Sequence, residues 1–244
     1  MLQTPALGEA IENLYRVFEE YRLRANTNPC SCCHSSEDDQ RLRSKLLRKL
    51  GPKDLYSYTT DALYTWGDES DFKHFMPRIF ELLTQDTSGF VDPECVFSKL
   101  IYESDGSTSW QTWPTEERAA ISTYSRAVWS AALDSDPEEL TDSASDWLCA
   151  FAQAENDLSF YLDRWLAAPS ANAHRHLARM IVWEGVPNTT KPGGGYWEPH
   201  REQWQQLVDW LRKPEVKQKL ASGLEKWNDE PFGNELLDAA VLLP

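Results

Sequence analysis

The chain has 244 residues, of which 41% are hydrophobic and 26% charged, a balance that suits a packed globular protein and argues against disorder. Its formal net charge of −15 is concentrated in residues 86–163, where sixteen Asp and Glu meet only Lys99, Arg118 and Arg126, a local net charge of −13. Such a field repels a nucleic-acid backbone and steers a basic partner, and no run approaches the roughly 18 apolar residues of a membrane span.

Helical periodicity runs through the chain from its start. Leu7, Ile11, Leu14, Phe18 and Tyr21 repeat at 4-3-4-3 spacing and predict a first helix. A polar loop follows with Asn26, Asn28, Pro29 and a cluster of cysteines. Residues 41–50 read as a basic amphipathic helix stopped by Gly51-Pro52, and residues 55–66 as another, with Gly67 as a left-handed C-terminal cap. Asp68 or Asp71 then caps the next element. Pro77 predicts either a short turn followed by a helix over 77–83 or one kinked helix.

Asp92-Pro93 has the form of an N-cap followed by proline at the first helical position. Residues 104–113 read as a loop, and Pro114 opens a helix whose face runs through Ile121, Tyr124, Val128 and Ala131. An acidic turn follows. Trp147, Phe151, Leu158, Leu162 and Trp165 keep helical spacing with a break near Asn156, and a further helix is expected over 171–183. "VPNTTKPGGGYWEPH" is the longest glycine-proline stretch. Beyond it, Trp204, Leu207, Val208 and Leu211 predict one helix, and Val216, Leu220, Leu224 and Trp227 a second, separated at Lys213-Pro214. The expectation is an all-α fold of about ten short helices in irregular antiparallel layers. Residues 1–244 read as a single helical domain, with a subdivision into a main body, 1–185, and a C-terminal hairpin, 198–244, as the alternative.

The five cysteines are an odd number, and three of them are crowded into "CSCCH". That is a poor disulfide framework and suits a reducing cytoplasm, as does Glu9 with Glu12 where a signal peptide would need an apolar run. Taken together with "LYSYTTDALYTWGDESDFKHFMPRIFELL" and "WPTEERAAISTYSRAVWSAAL", the cysteine segment resembles a family of uncharacterised bacterial proteins. Their pattern is a C-x-C-C loop, then a TWGD turn, then DFKHF-x-PRI-x-EL. The resemblance spans roughly residues 15–135. It implies a bacterial, cytoplasmic, helical protein and brings no activity and no catalytic residue.

Two candidate sites stand out. Cys30 and Cys33 have C-x-x-C spacing, with Cys32 and His34 beside them; four adjacent residues can hardly supply all four vertices of one zinc tetrahedron, so His74 is the candidate completing ligand. Thiols that merely pack or cap compete with a structural zinc, and redox chemistry ranks behind both because the strand-helix setting of a redox C-x-x-C is missing. Asp68, Asp71, His74 and Arg78 invite a polar site, but cap chemistry explains the TWGD turn more simply. His174 and His176 lie about 200° apart around a helix and are no metal pair. No H-E-x-x-H, G-x-S-x-G or Walker-type glycine loop is present.

The second candidate is the acidic turn, where Asp134, Asp136, Glu138, Glu139 and Asp142 form the expected partner-binding surface, unless they serve only a helix N-terminus. The sequence therefore favours a non-catalytic module that binds a basic protein, such as an immunity-type inhibitor of a toxin or effector. A metal-dependent regulator or enzyme built on the Cys30–Cys33 loop is the alternative. Neither nucleic acid nor membrane is expected as a partner.

Overall fold

Thr4 opens the first helix. Its hydroxyl accepts a hydrogen bond from the Leu7 amide at 3.2 Å, and Pro5 fills the first helical position, where an amide would have no intrahelical partner. From this start a computed structural model of the chain describes residues 2–85, 90–102, 109–184 and 195–243. Among them are twelve α-helices, three short 3-10 turns and no strand, so the fold is all-α. No described helix is long and apolar enough to cross a membrane. The chain divides into two compact units, residues 1–128 and 129–244. The dividing point lies within a helix, while residues 186–194 of the glycine-proline stretch fall outside the described residues.

The first unit holds α1 (Pro5–Val17), α2 (Ser36–Arg43), α3 (Pro52–Asp61), α4 (Glu69–Leu83), α5 (Pro93–Ser98) and the start of α6 (Thr115–Asp134). α1 packs on α4, and α3 packs on α2, α4 and α5. The core follows from the apolar spacing: Leu7, Ala10 and Leu14 of α1 meet Phe72, Phe75, Met76, Ile79 and Phe80 of α4, all buried. α4 is one continuous helix with Pro77 inside it. The ring of Phe80 stacks on Phe97 at 5.4 Å, and its carbonyl accepts the Tyr124 hydroxyl at 2.8 Å.

Three elements differ from expectation. The helix placed at 41–50 begins earlier, because Ser35 and Asp38 form a reciprocal capping box, and it gives way to a 3-10 turn over Leu47–Lys49. α3 stops at Asp61 and not at Trp66, because Leu63 enters the left-handed region at φ 70° and breaks the turn. Gly67, at φ 75°, therefore shapes the approach to Asp68 instead of ending α3; a Cβ there would also press to 3.0 Å of the Asp71 carboxylate.

The second unit contains the end of α6, then α7 (Ala144–Ala154), α8 (Ser159–Ala167), α9 (Ala171–Glu184), α10 (Arg201–Leu211), α11 (Pro214–Trp227) and α12 (Gly233–Leu242). Trp129 sits edge-on to Phe151, Tyr161 and Trp165 at 6.0, 6.0 and 5.2 Å, and Phe151 stacks on Tyr161 at 4.3 Å. Each such pair adds about 0.5–1.5 kcal/mol beyond its area burial. Two of these indole donors are satisfied: Trp129 Nε1 donates to the Tyr161 carbonyl and Trp165 Nε1 to that of Ala173, each at 2.9 Å. α12, which the apolar spacing did not predict, packs against α9 and α11. Its start needs Gly233, because a Cβ there would lie 2.3 Å from the Asn228 carbonyl oxygen.

Each unit also uses a buried lysine to satisfy the loose carbonyls at a helix C-terminus. Lys99 Nζ donates to Thr60 and Ala62 at 2.9 and 3.2 Å, and Lys219 Nζ donates to Leu166 and Ala168. Burial lowers both ammonium pKa values, that of Lys219 to about 8.

Candidate functional site

In the first unit the cysteine loop is held against the turn between α3 and α4. Thr27, fully buried, accepts the Trp66 indole N–H at 2.8 Å, donates to Asp39 at 2.8 Å, and offers its carbonyl to the Gly67 amide at 2.9 Å. The Cys30 amide donates to the Thr65 carbonyl at 2.8 Å. Arg24 grips the other end of the turn: it pairs with the buried Asp71 carboxylate through Nε and Nη2 and with Asp68 at 2.8 Å. Asp68 and Asp71 meanwhile cap α4 reciprocally. Arg43 closes the arrangement by donating to the Arg24 carbonyl at 2.6 Å and to Asp39 at 2.7 Å. "CSCCH" and "TWGD", 35 residues apart at Cys30 and Thr65, are thus neighbours joined by backbone and side chain alike.

Beyond Cys30 the loop turns tightly, with the amides of Cys33 and His34 both donating to the Cys30 carbonyl at 3.0 and 2.9 Å. This brings three thiols together. The Sγ atoms of Cys30, Cys32 and Cys33 all lie within 4.8 Å of one another; Cys30 and Cys32 are 2.7 Å apart, Cys32 and Cys33 3.5 Å. Cys32 and Cys33 are exposed, and Cys30 is partly so. The hydrogen bond from Cys32 lowers the pKa of Cys30, and the same interaction pushes Cys32 up to about 11. Cys30 is therefore the sulfur that ionises first of these two. The group can hold a metal ion.

The histidines expected to complete a metal shell are engaged elsewhere. His34 lies with its ring 4.4 Å from that of Trp66, and its Nε2 contacts Thr65 Oγ1 at 3.1 Å and Asp61 at 3.5 Å. His74 donates through Nδ1 to the Tyr21 carbonyl at 2.8 Å, and it borders an open cleft of about 670 Å³ with Tyr15, Tyr21, Arg22 and Arg48. Neither is in the thiol group. Arg78 donates to the Leu50 carbonyl at 2.7 Å and to Glu81 at 2.6 Å, so it does not join Asp68 and Asp71 in a polar site. Cys149 is buried within α7, and burial raises the Cys95 thiol pKa; both are packing residues.

The acidic turn lies in the second unit, between α6 and α7. Asp134, Glu138 and Glu139 are exposed, and Asp136 and Asp142 are half-buried. α9 anchors this turn. Arg175 pairs with Asp136 at 2.8 Å and Glu138 at 3.3 Å; Arg179 pairs with Glu138 at 3.0 Å and with Glu235 of α12 at 2.8 Å. The Asp136 carboxylate also accepts the Glu138 amide at 2.9 Å, and that bond, helped by Arg175, holds its pKa below the ordinary carboxylate value. His176 fixes the backbone by donating to the Ser135 carbonyl at 3.0 Å, Asn172 by donating to that of Asp134 at 2.8 Å. Burial lowers the His176 pKa to about 4, so the ring is neutral at pH 7. His174 lies on another side of α9, against Trp227 and Gly223.

Sequence reasoning missed Arg175 and Arg179, although their four-residue spacing places them on one helix face. It also missed Arg24, whose partners lie 44 and 47 residues away. Comparison with family models, curated proteins and solved structures finds no match.

Proposed function

We propose that this protein is a non-catalytic binding module that recognises a basic protein through its acidic turn, in the manner of an immunity protein neutralising a basic toxin or effector. The observation that carries this reading is an excess of carboxylate held in place. The turn carries Asp134, Asp136, Glu138, Glu139 and Asp142, and Arg175 and Arg179 anchor it through Asp136, Glu138 and Glu235, so carboxylates outnumber the arginines that hold them. Glu138 stays 68% exposed even while both arginines hold it. A turn fixed by ion pairs and by His176 presents its exposed acids without a large ordering cost on binding.

The test is capture from the source cell with the wild-type chain and with a Glu138→Lys, Glu139→Lys double variant. A basic protein retained by the parent at low salt, and lost both on charge reversal and on adding salt, supports the reading. Capture that is the same for parent and variant overturns it.

A second reading, a metal-dependent regulator or enzyme built around the Cys30–Cys33 loop, is favoured by one observation: the convergence of three thiols.

A further inference from the structure

Three thiols meet at Cys30, Cys32 and Cys33 with no imidazole or carboxylate among them, in the described residues. The donor set is all sulfur, which selects soft ions over calcium, magnesium or manganese. A closed structural zinc site takes four protein donors. Among the described residues no fourth donor joins the thiols: His34 is turned onto Trp66 and Thr65, and His74 onto the Tyr21 carbonyl. Three thiolates alone suit a soft monovalent ion that accepts trigonal coordination.

The spacing agrees. Metal–sulfur bonds of about 2.3 Å put the sulfurs of a trigonal site roughly 4 Å apart. The present Sγ separations, 2.7 Å for Cys30–Cys32, 3.5 Å for Cys32–Cys33 and all within 4.8 Å, lie around that value. The backbone is held independently of the thiols, by the Cys30 amide on Thr65, the two amides on the Cys30 carbonyl, and Thr27 on Trp66 and Gly67. The exposed sulfurs of Cys32 and Cys33 leave the ion an open route from solvent.

We infer that Cys30, Cys32 and Cys33 form a three-coordinate thiolate site for a soft monovalent cation of the copper(I) class. Each thiol gives its proton to solvent as it ligates, and no electron transfer is involved. The site lies in residues 1–128 and the acidic turn in residues 129–244, so failure of one leaves the other standing.

The test is an anaerobic titration of the reduced, untagged chain with copper(I) against a chromogenic copper(I) chelator. One equivalent should be retained. Cys30→Ser, Cys32→Ser and Cys33→Ser should each weaken retention at least tenfold, whereas Cys95→Ser and His74→Ala should leave it unchanged. Circular dichroism checks that the serine variants keep their helix content. X-ray absorption on the loaded parent chain, which needs no variant, should count three sulfur neighbours and no nitrogen. No retention against the chelator, parent-like retention in Cys32→Ser, nitrogen in the metal shell, or preferential uptake of four-coordinate zinc would each overturn the inference.

Discussion

The cysteine loop and the acidic turn are both connections between helices, and arginine secures both, yet they spend their chemistry differently. In the loop, Arg24 grips Asp68 and Asp71, residues that also cap α4, and the three thiols take no part in the anchoring. In the turn, Arg175 and Arg179 grip Asp136 and Glu138 themselves, so part of the chemistry that marks the region is consumed in holding it still. A cluster of reactive residues in a sequence is thus available in proportion to how much of its anchoring is done by other residues.

This contrast is most sharply broken by removing the wall of the loop. Trp66→Ala deletes a buried indole together with the donor to Thr27, and is expected to cost about 3–5 kcal/mol in denaturant unfolding. Asp71→Asn comes next. It leaves Arg24 facing a neutral amide in a buried position; because Arg24 is itself partly exposed, the loss is expected at about 2–3 kcal/mol, below the full penalty for a broken buried pair. A near-neutral result for either would mean that the TWGD turn does not organise the loop.

The turn has its own lever, the neutral His176. Its pKa in the folded chain is about 4 against an ordinary 6.5, so between these values the unfolded chain binds the extra proton. The stabilisation is complete above pH 6.5 and falls as the pH drops towards 4, by up to about 3 kcal/mol. In His176→Gln this part of the acid dependence should disappear, as read from unfolding midpoints at pH 7 and pH 4.5. Persistence of the full dependence would assign it to other groups.

The smallest effect is expected at the rim. Glu138→Ala removes an exposed carboxylate, and the stability loss should stay below about 1 kcal/mol. A loss comparable to that of Asp71→Asn would erase the distinction between a buried anchor and an exposed one.

Much of this architecture was legible in the chain. The apolar spacing of α6, α7, α8 and α9 and the break near Asn156 agree with the helices, and that of α1 does as far as Val17, short of the expected Tyr21, because each buries one regular stripe. The capping box at Ser35 and Asp38 that starts α2 earlier went unread, because the expectation was built on the basic run from Arg41. α12 is short, and Leu236 and Ala239 bury only a narrow stripe against its neighbours, so its identity as a helix depends on tertiary packing. The candidate sites were legible as residue types and not as geometry. That His34 turns away from the thiols follows from the return of Trp66 to Thr27, a contact 39 residues long that no local pattern announces. The pairing of Asp136 with Arg175 is of the same kind.

The measurement that tests the proposed role most directly is the ionic-strength dependence of association with the captured basic protein. Recognition through the exposed acids of the turn predicts an association rate that falls steeply with added salt while dissociation changes little, and a Glu138→Lys, Glu139→Lys variant that associates slowly at every salt concentration. Association that is insensitive to salt and unchanged by the charge reversal would contradict it.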